Sequence, residues 1–315
     1  MRRFRRLIPF LLLLSLACGF SPGALAQATP PASPTVTVGA LNFTEPLILG
    51  EMISQLLESH GFDVQREFGL ATSADAHEAL LSGEIDLYVE YTGGGLVSIL
   101  GSPVPVDMPD ASGTPVASVA DRTYDAVSAG YLEQFDLVWL DVFGFNDTYT
   151  LAVTRTTAQT YNLTTISDLA SVAGTLKLGT DQEFADRADG LPALKSTYGI
   201  EFASVQPTVP EAMYEAIANG EVDVITAYST DAHMRDLDLV VLQDDRAVFP
   251  PYFAAPVVSQ AVLDANPGMA DIINLLGGSI DDAQMMELNY QVDIENRDAA
   301  DVAQEFLASQ GLLDS

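Results

Sequence analysis

One stretch of this sequence occurs twice, at a constant offset of 137 positions. The first copy is Glu78-Ala79-Leu80-Leu81-Ser82-Gly83-Glu84-Ile85-Asp86-Leu87-Tyr88-Val89-Glu90-Tyr91-Thr92. The second is Glu215-Ala216-Ile217-Ala218-Asn219-Gly220-Glu221-Val222-Asp223-Val224-Ile225-Thr226-Ala227-Tyr228-Ser229. Each reads as a helix end, a glycine stop, a short apolar run and a tyrosine backed by a hydroxyl residue. Glycine tolerates the left-handed backbone that ends helices. The runs 85–89 and 222–227 are short, mostly apolar and bounded, as expected of buried parallel strands. Tyr91 and Tyr228 then stand at the carboxyl ends of two strands, where open α/β sheets bind ligands. One copy in each half predicts two similar lobes, each presenting a tyrosine to a shared cleft.

The rest of the chain alternates in the same way. Strands are expected at 35–40, 62–68, 137–140, 150–154, 176–179, 202–207, 237–243 and 254–259. Helices are expected from Thr44, as the cap, to Gly61, and over 74–82, 117–134, 191–198, 210–219, 269–276, 283–292 and 300–309. A short helix begins at 166–169, and Gly93, Gly94 and Gly95 open another helical stretch. Residues 101–115 form a surface loop. Segments 143–149 and 249–252 read as crossovers between the halves, the second held extended by Pro250 and Pro251. The expected class is α/β with two lobes. The lobes are drawn as 35–145 with 254–315, and as 146–253. Clefts between lobes are favoured small-molecule sites.

The termini and composition narrow the setting. Arg2, Arg3, Arg5 and Arg6 precede an apolar run over 7–17, and Ala24-Leu25-Ala26 offers a small-x-small cleavage site. Residues 1–26 therefore read as an export signal and 27–34 as a flexible linker. Cys18, in Ser15-Leu16-Ala17-Cys18, is a candidate lipid-attachment site. With soluble export, cleavage after Ala26 leaves no cysteine, hence no disulfide, thiol nucleophile or Cys metal site. Asp and Glu number 44 against 13 Lys and Arg, for a formal charge of −31. That balance argues against nucleic acid as a partner and favours cations in a cleft.

No catalytic constellation is visible. His60, His77 and His233 are isolated, and HExxH, GxSxG and P-loop motifs are absent. The pairs Asp244-Asp245 and Asp281-Asp282 lack EF-hand spacing and read as solvated charge. No metal or cofactor is expected. The informative set is aromatic: Tyr91, Tyr149, Tyr228 and Tyr252 all fall at strand ends or crossovers, with Asp147 beside them. A tyrosine face attracts a cation by roughly 0.5–2 kcal/mol, so four around one methylated ammonium would hold it.

With those residues in view, the sequence resembles the osmoprotectant-binding proteins of ABC importers, which capture glycine betaine, proline betaine, carnitine or choline. The resemblance spans residues 36 to about 312. It is carried by Asn42-Phe43-Thr44-Glu45, by 83–93, by Gly144-Phe145-Asn146-Asp147-Thr148-Tyr149, by 183–190, by Ala227-Tyr228-Ser229-Thr230-Asp231 and by Phe249-Pro250-Pro251-Tyr252. It implies a type II periplasmic-binding-protein fold that closes on its ligand and a cage of Tyr91, Tyr149, Tyr228 and Tyr252. It also implies Asp147 at the cage rim and Arg187 directed to a ligand carboxylate. The implied partners are a small quaternary ammonium solute and membrane permease subunits, with a monomeric receptor outside the cytoplasm.

Two positions depart from that family's usual pattern. Leu41, before Asn42, stands where a lysine often helps hold the carboxylate, and Gly94 stands where a threonine is usual. A buried carboxylate short of donors binds poorly. The expectation is a preference for choline or a bulkier methylated ammonium such as carnitine or ergothioneine. An amino-acid receptor of the same fold, clamping its ligand with Arg187 and Asp147, is the alternative. An enzyme on this architecture that holds its cofactor through Cys is disfavoured by the mature composition.

Overall fold

The computed structural model of the chain describes residues 33–105 and 117–313. The expected export signal, Cys18, nearly all of the linker and most of the loop 101–115 lie outside those residues. Ten strands make two five-stranded sheets. They are β1 (Thr35–Leu41), β2 (Asp63–Leu70), β3 (Leu87–Tyr91), β4 (Leu137–Trp139), β5 (Tyr149–Thr154), β6 (Lys177–Thr180), β7 (Ser204–Pro207), β8 (Val224–Tyr228), β9 (Leu239–Leu242) and β10 (Ala254–Ser259). The sheet orders are β2-β1-β3-β10-β4 and β7-β6-β8-β5-β9.

The two sheets are topological copies. In each, the strand that carries the repeat is central. β3 runs parallel to β1 and antiparallel to β10. β8 likewise runs parallel to β6 and antiparallel to β5. The antiparallel strand in each sheet is the one that has just arrived from the other half of the chain.

The repeated sequence works by the same hydrogen bonds in both copies. Gly83 and Gly220 adopt φ of 76° and 72°, a left-handed turn that costs a glycine nothing. Glu84 N–H then donates to Ala79 O, and Glu221 N–H to Ala216 O, both at 2.9 Å. The following aspartate ties the joint to the neighbouring strand. Asp86 N–H donates to Thr37 O while its Oδ2 accepts from Thr37 N–H at 2.7 Å. Asp223 repeats both bonds with Lys177, its Oδ2 accepting at 2.9 Å. These caps occupy the first residues of the apolar runs. The strands therefore begin at Leu87 and Val224, later than the apolar pattern alone suggests.

Elsewhere the pattern and the structure agree on most elements, and Leu191–Tyr198 and Ala254–Ser259 match residue for residue. Helices Arg155–Tyr161 and Ala232–Asp236 are additional, being too short to show a hydrophobic period. Thr44 is not the cap of its helix: Phe43 holds that position without a side-chain bond, and the Thr44 hydroxyl donates to Asp293 instead. Asp244, read as solvated, accepts from Phe249 N–H at 2.9 Å, and Asp281 forms a capping box with Gln284. Trp139 packs in the core as expected. Among the described residues, no helix is long and apolar enough to cross a membrane.

Candidate functional site

The chain passes between the sheets in two segments that lie side by side. Asp147 N–H donates to Tyr252 O at 3.0 Å, and Tyr252 N–H to Asn146 Oδ1 at 2.7 Å. Asn146 and Phe253 form an antiparallel bridge. This pairing sets Asp147, Tyr149 and Tyr252 at the mouths of β5 and β10, beside the ends of β3 and β8. The result is a cleft of about 700 Å³. Tyr91, Asp147, Tyr149, Arg187, Tyr228 and Tyr252 all line it, as do Leu41, Asn42 and Gly94. Every candidate site residue from 41 onward thus meets at one place.

Three tyrosines form a contiguous corner. Tyr149 and Tyr228 are register partners on adjacent strands, with ring centroids 4.9 Å apart. Tyr252 meets Tyr149 edge-on, 5.6 Å away at 88°. Phe184 and Phe249 back Tyr149 at 4.9 and 6.1 Å. Tyr91, from the other sheet, stacks with Phe43 at 6.4 Å. Aromatic faces held by such packing offer a preorganised negative potential to a cation.

Acid groups are buried beside these rings. Glu45 Oε1 accepts from Tyr91 OH at 2.7 Å, and its Oε2 accepts from Asn289 Nδ2 at 3.1 Å. The Thr230 hydroxyl lies 2.8 Å from Glu45 Oε2 and 2.9 Å from Asp147 Oδ1. Burial pushes the Glu45 carboxyl up to about 7, against the pull of its hydrogen bonds. Burial, then the neighbouring Glu45 charge, raises Asp147 well above the usual carboxylate range. Two carboxylates this close, with no cationic side chain among the described residues bonded to either, resist full ionisation, so the pair draws positive charge or a proton.

Arg187 is engaged by its own chain. Its Nε and Nη2 donate to Asp189 at 3.0 and 2.8 Å, and Nη2 also donates to Tyr252 OH at 3.1 Å. Tyr252 OH in turn donates to Asp189 Oδ2 at 2.6 Å. The guanidinium lies 5.7 Å from the Tyr149 ring centroid. Burial works against its charge, but the Asp189 hydrogen bonds prevail and raise its pKa.

Several cleft residues escape a reading of the sequence alone. Glu45 carries a signal, being a carboxylate in the first turn of an apolar helix. Glu90 carries another, as an acid inside the fully buried run of β3. Thr230 and Asn289 carry none, because their roles exist only through contacts with distant residues. His233, read as isolated, lines the cleft, stacks on Tyr214 at 4.7 Å and bonds Asp231 through its backbone N–H at 3.0 Å. Among the described residues, no cluster of His, Cys, Asp and Glu is arranged to hold a metal.

Comparison with known proteins bears on this geometry. A family described as the substrate binding domain of an ABC-type glycine betaine transport system matches residues 34–309. A carnitine transport binding protein of Listeria monocytogenes is 33% identical over 94% of this chain and 93% of its own length. An ergothioneine transport permease/ergothioneine binding protein of Helicobacter pylori is 31% identical over 99% of this chain. This chain spans about half of that protein, 53% of its length. A crystal structure described as a glycine betaine/carnitine/choline ABC transporter superposes with a TM-score of 0.75 at 33% identity. It covers 89% of this chain and 100% of that one.

Proposed function

This chain belongs to the family of substrate-binding domains of ABC-type glycine betaine transport systems, and on that premise we propose that it is an extracytoplasmic receptor for a quaternary ammonium solute. Tyr91, Tyr149, Tyr228 and Tyr252 cage the methylated nitrogen, and Asp147 with Glu45 supplies the counter-charge. The lobes are 35–145 with 254–315, and 146–253. The loaded receptor delivers its solute to the membrane permease subunits of an importer.

The observation that carries this reading is the corner formed by Tyr149, Tyr228 and Tyr252, set in one cleft with the buried Asp147. A neutral solute gains no charge attraction from ring quadrupoles or from buried carboxylates, whereas a methylated ammonium gains from both and loses little hydration on entry. Arg187, already paired with Asp189, does not present an uncompensated charge for an α-carboxylate. This weighs against the amino-acid receptor.

Isothermal titration with choline and with 3,3-dimethyl-1-butanol, its uncharged isostere, tests the proposal. Micromolar choline with no detectable alcohol binding is the expected result. Equal binding of the two would remove the case for a cation cage.

A further inference from the structure

The cleft also takes in Glu90, beside the cage residue Tyr91 and within electrostatic reach of Arg187. Glu90 lies in β3, one position before Tyr91, and is among the residues lining the cleft although it is only 1% exposed. Its Oε1 accepts from Tyr91 N–H at 2.7 Å and has Ser73 Oγ at 3.4 Å, and its Oε2 accepts from Tyr88 OH at 3.1 Å. Those contacts leave lone-pair capacity, since a carboxylate accepts about four hydrogen bonds.

Gly94 is what leaves Glu90 reachable. A Cβ placed on Gly94 would stand 3.2 Å from Glu90 Oε1 and would meet no other heavy atom within 4 Å. Any larger side chain at this position would cover the carboxyl oxygen. Gly94 has an ordinary helical backbone, φ −61°, so no turn requires glycine there. The cleft lining also includes the hydroxyl residues Thr72, Ser73 and Ser98, with Leu41 and Ile99. Among the described residues lining the cleft, the cationic side chains are Arg187 and His233. The first is held by Asp189, and the second lies against Tyr214 and Asp231.

We propose that Glu90, uncovered by Gly94, is a specificity-determining acceptor that selects solutes bearing a hydrogen-bond donor on the arm beyond the quaternary nitrogen. A hydroxyl or ring N–H on that arm donates to Glu90. A carboxylate on that arm meets a buried acid, and the nearby guanidinium of Arg187 is already engaged by Asp189. Burial holds the Glu90 carboxyl at about 7, so near neutrality the ionised acceptor form is substantially populated. The inference rests on the reading of the tyrosine corner as a cation cage, and it adds what the remainder of the solute must be.

The test compares choline, glycine betaine and tetramethylammonium by isothermal titration. Tetramethylammonium has the cation and no arm, so it reports the cage by itself. In the native protein, choline is expected to bind at least about tenfold tighter than either of the others. Glu90→Gln keeps the volume and one acceptor, for Tyr91 N–H, with its NH2 turned as a donor toward Tyr88 OH, and Gly94→Thr covers Glu90 from the cleft side. Each variant is expected to reduce the choline-to-tetramethylammonium affinity ratio about tenfold, because one charge-assisted hydrogen bond is lost. Glycine betaine should gain relative to tetramethylammonium in Glu90→Gln. If both ratios are unchanged in both variants while all three solutes still bind, Glu90 has no such role and the cage reading stands. If the native protein fails to bind tetramethylammonium and choline, the cage reading falls and this inference falls with it.

Discussion

Glu45 and Asp147 are joined through a single hydroxyl. Thr230 Oγ1 lies 2.8 Å from one carboxylate and 2.9 Å from the other, and one hydroxyl has one proton to give. With both acids ionised, one of the two contacts would set lone pairs against a negative charge. A proton on one carboxyl group completes the chain of bonds. With both carboxyl groups raised by burial, the pair is expected to take up a proton that the proposed cation would displace.

Cation binding is accordingly expected to release a proton. Both carboxyl groups are raised in the unliganded protein, and positive charge in the cleft lowers them. Affinity should rise with pH from about 5.5 to about 7.5. Titrations in buffers of different ionisation enthalpy measure the proton count directly. A count of zero throughout that range would show that the pair is fully ionised before the ligand arrives.

Stability without ligand should move the opposite way. Glu45 and Glu90 are raised from 4.5 to about 7 by burial. The folded state therefore binds more protons than the unfolded state between those values, and stability falls as pH rises through that window. His233, raised by its bond to Asp231, acts in the same direction. The melting temperature should thus increase on acidification from about pH 7.5 to about pH 5, and Glu90→Gln should flatten the rise. A melting temperature that drops steadily over this interval would contradict the protonated state of these acids.

Tyr149 is the centre of the aromatic corner, touching Tyr228, Tyr252, Phe184 and Phe249. Tyr149→Ala is expected to weaken choline binding by roughly 10- to 100-fold, from one lost cation–π face and two loosened neighbours. Tyr228→Phe keeps the ring and loses a 3.4 Å hydroxyl contact, so an effect below about threefold is expected. A Phe variant as damaging as the Ala variant would move the energy from the rings to the hydroxyls.

The repeated aspartates predict a pair of matched stability losses. Asp86→Ala should cost about 1–2 kcal/mol, and Asp223→Ala, whose bond is solvent-exposed, about 0.5–1 kcal/mol. The residues sit in different sheets, so the double variant should be additive within about 0.5 kcal/mol if unfolding is two-state. Chemical denaturation measures all three. Strong non-additivity would mean that the two sheets share more than the cleft.

Much of this architecture was written locally. The glycine caps at Gly83 and Gly220, the apolar runs behind them and the tyrosines that end the runs are each set by neighbours a few residues away. They can be read before the fold is known, and they point Tyr91 and Tyr228 at one cleft; Tyr149, Tyr252 and Asp147 joined them through the crossover segments and the family resemblance. What the sequence could not supply was the partner of each charge. Asn289 reaches Glu45 across 244 positions, and Thr230 reaches it across 185. Arg187 entered only through the family resemblance, and only the fold shows it bonded to Asp189 and Tyr252. Glu90, an acid in an apolar strand, was not singled out from the sequence, and only the fold sets its Oε1 where a Cβ on Gly94 would stand 3.2 Å away. Local propensity decides where strands and helices begin and end. The protonation of a buried acid depends on which distant groups the fold brings within hydrogen-bond reach, because desolvation and Coulomb interaction act through space and not along the chain.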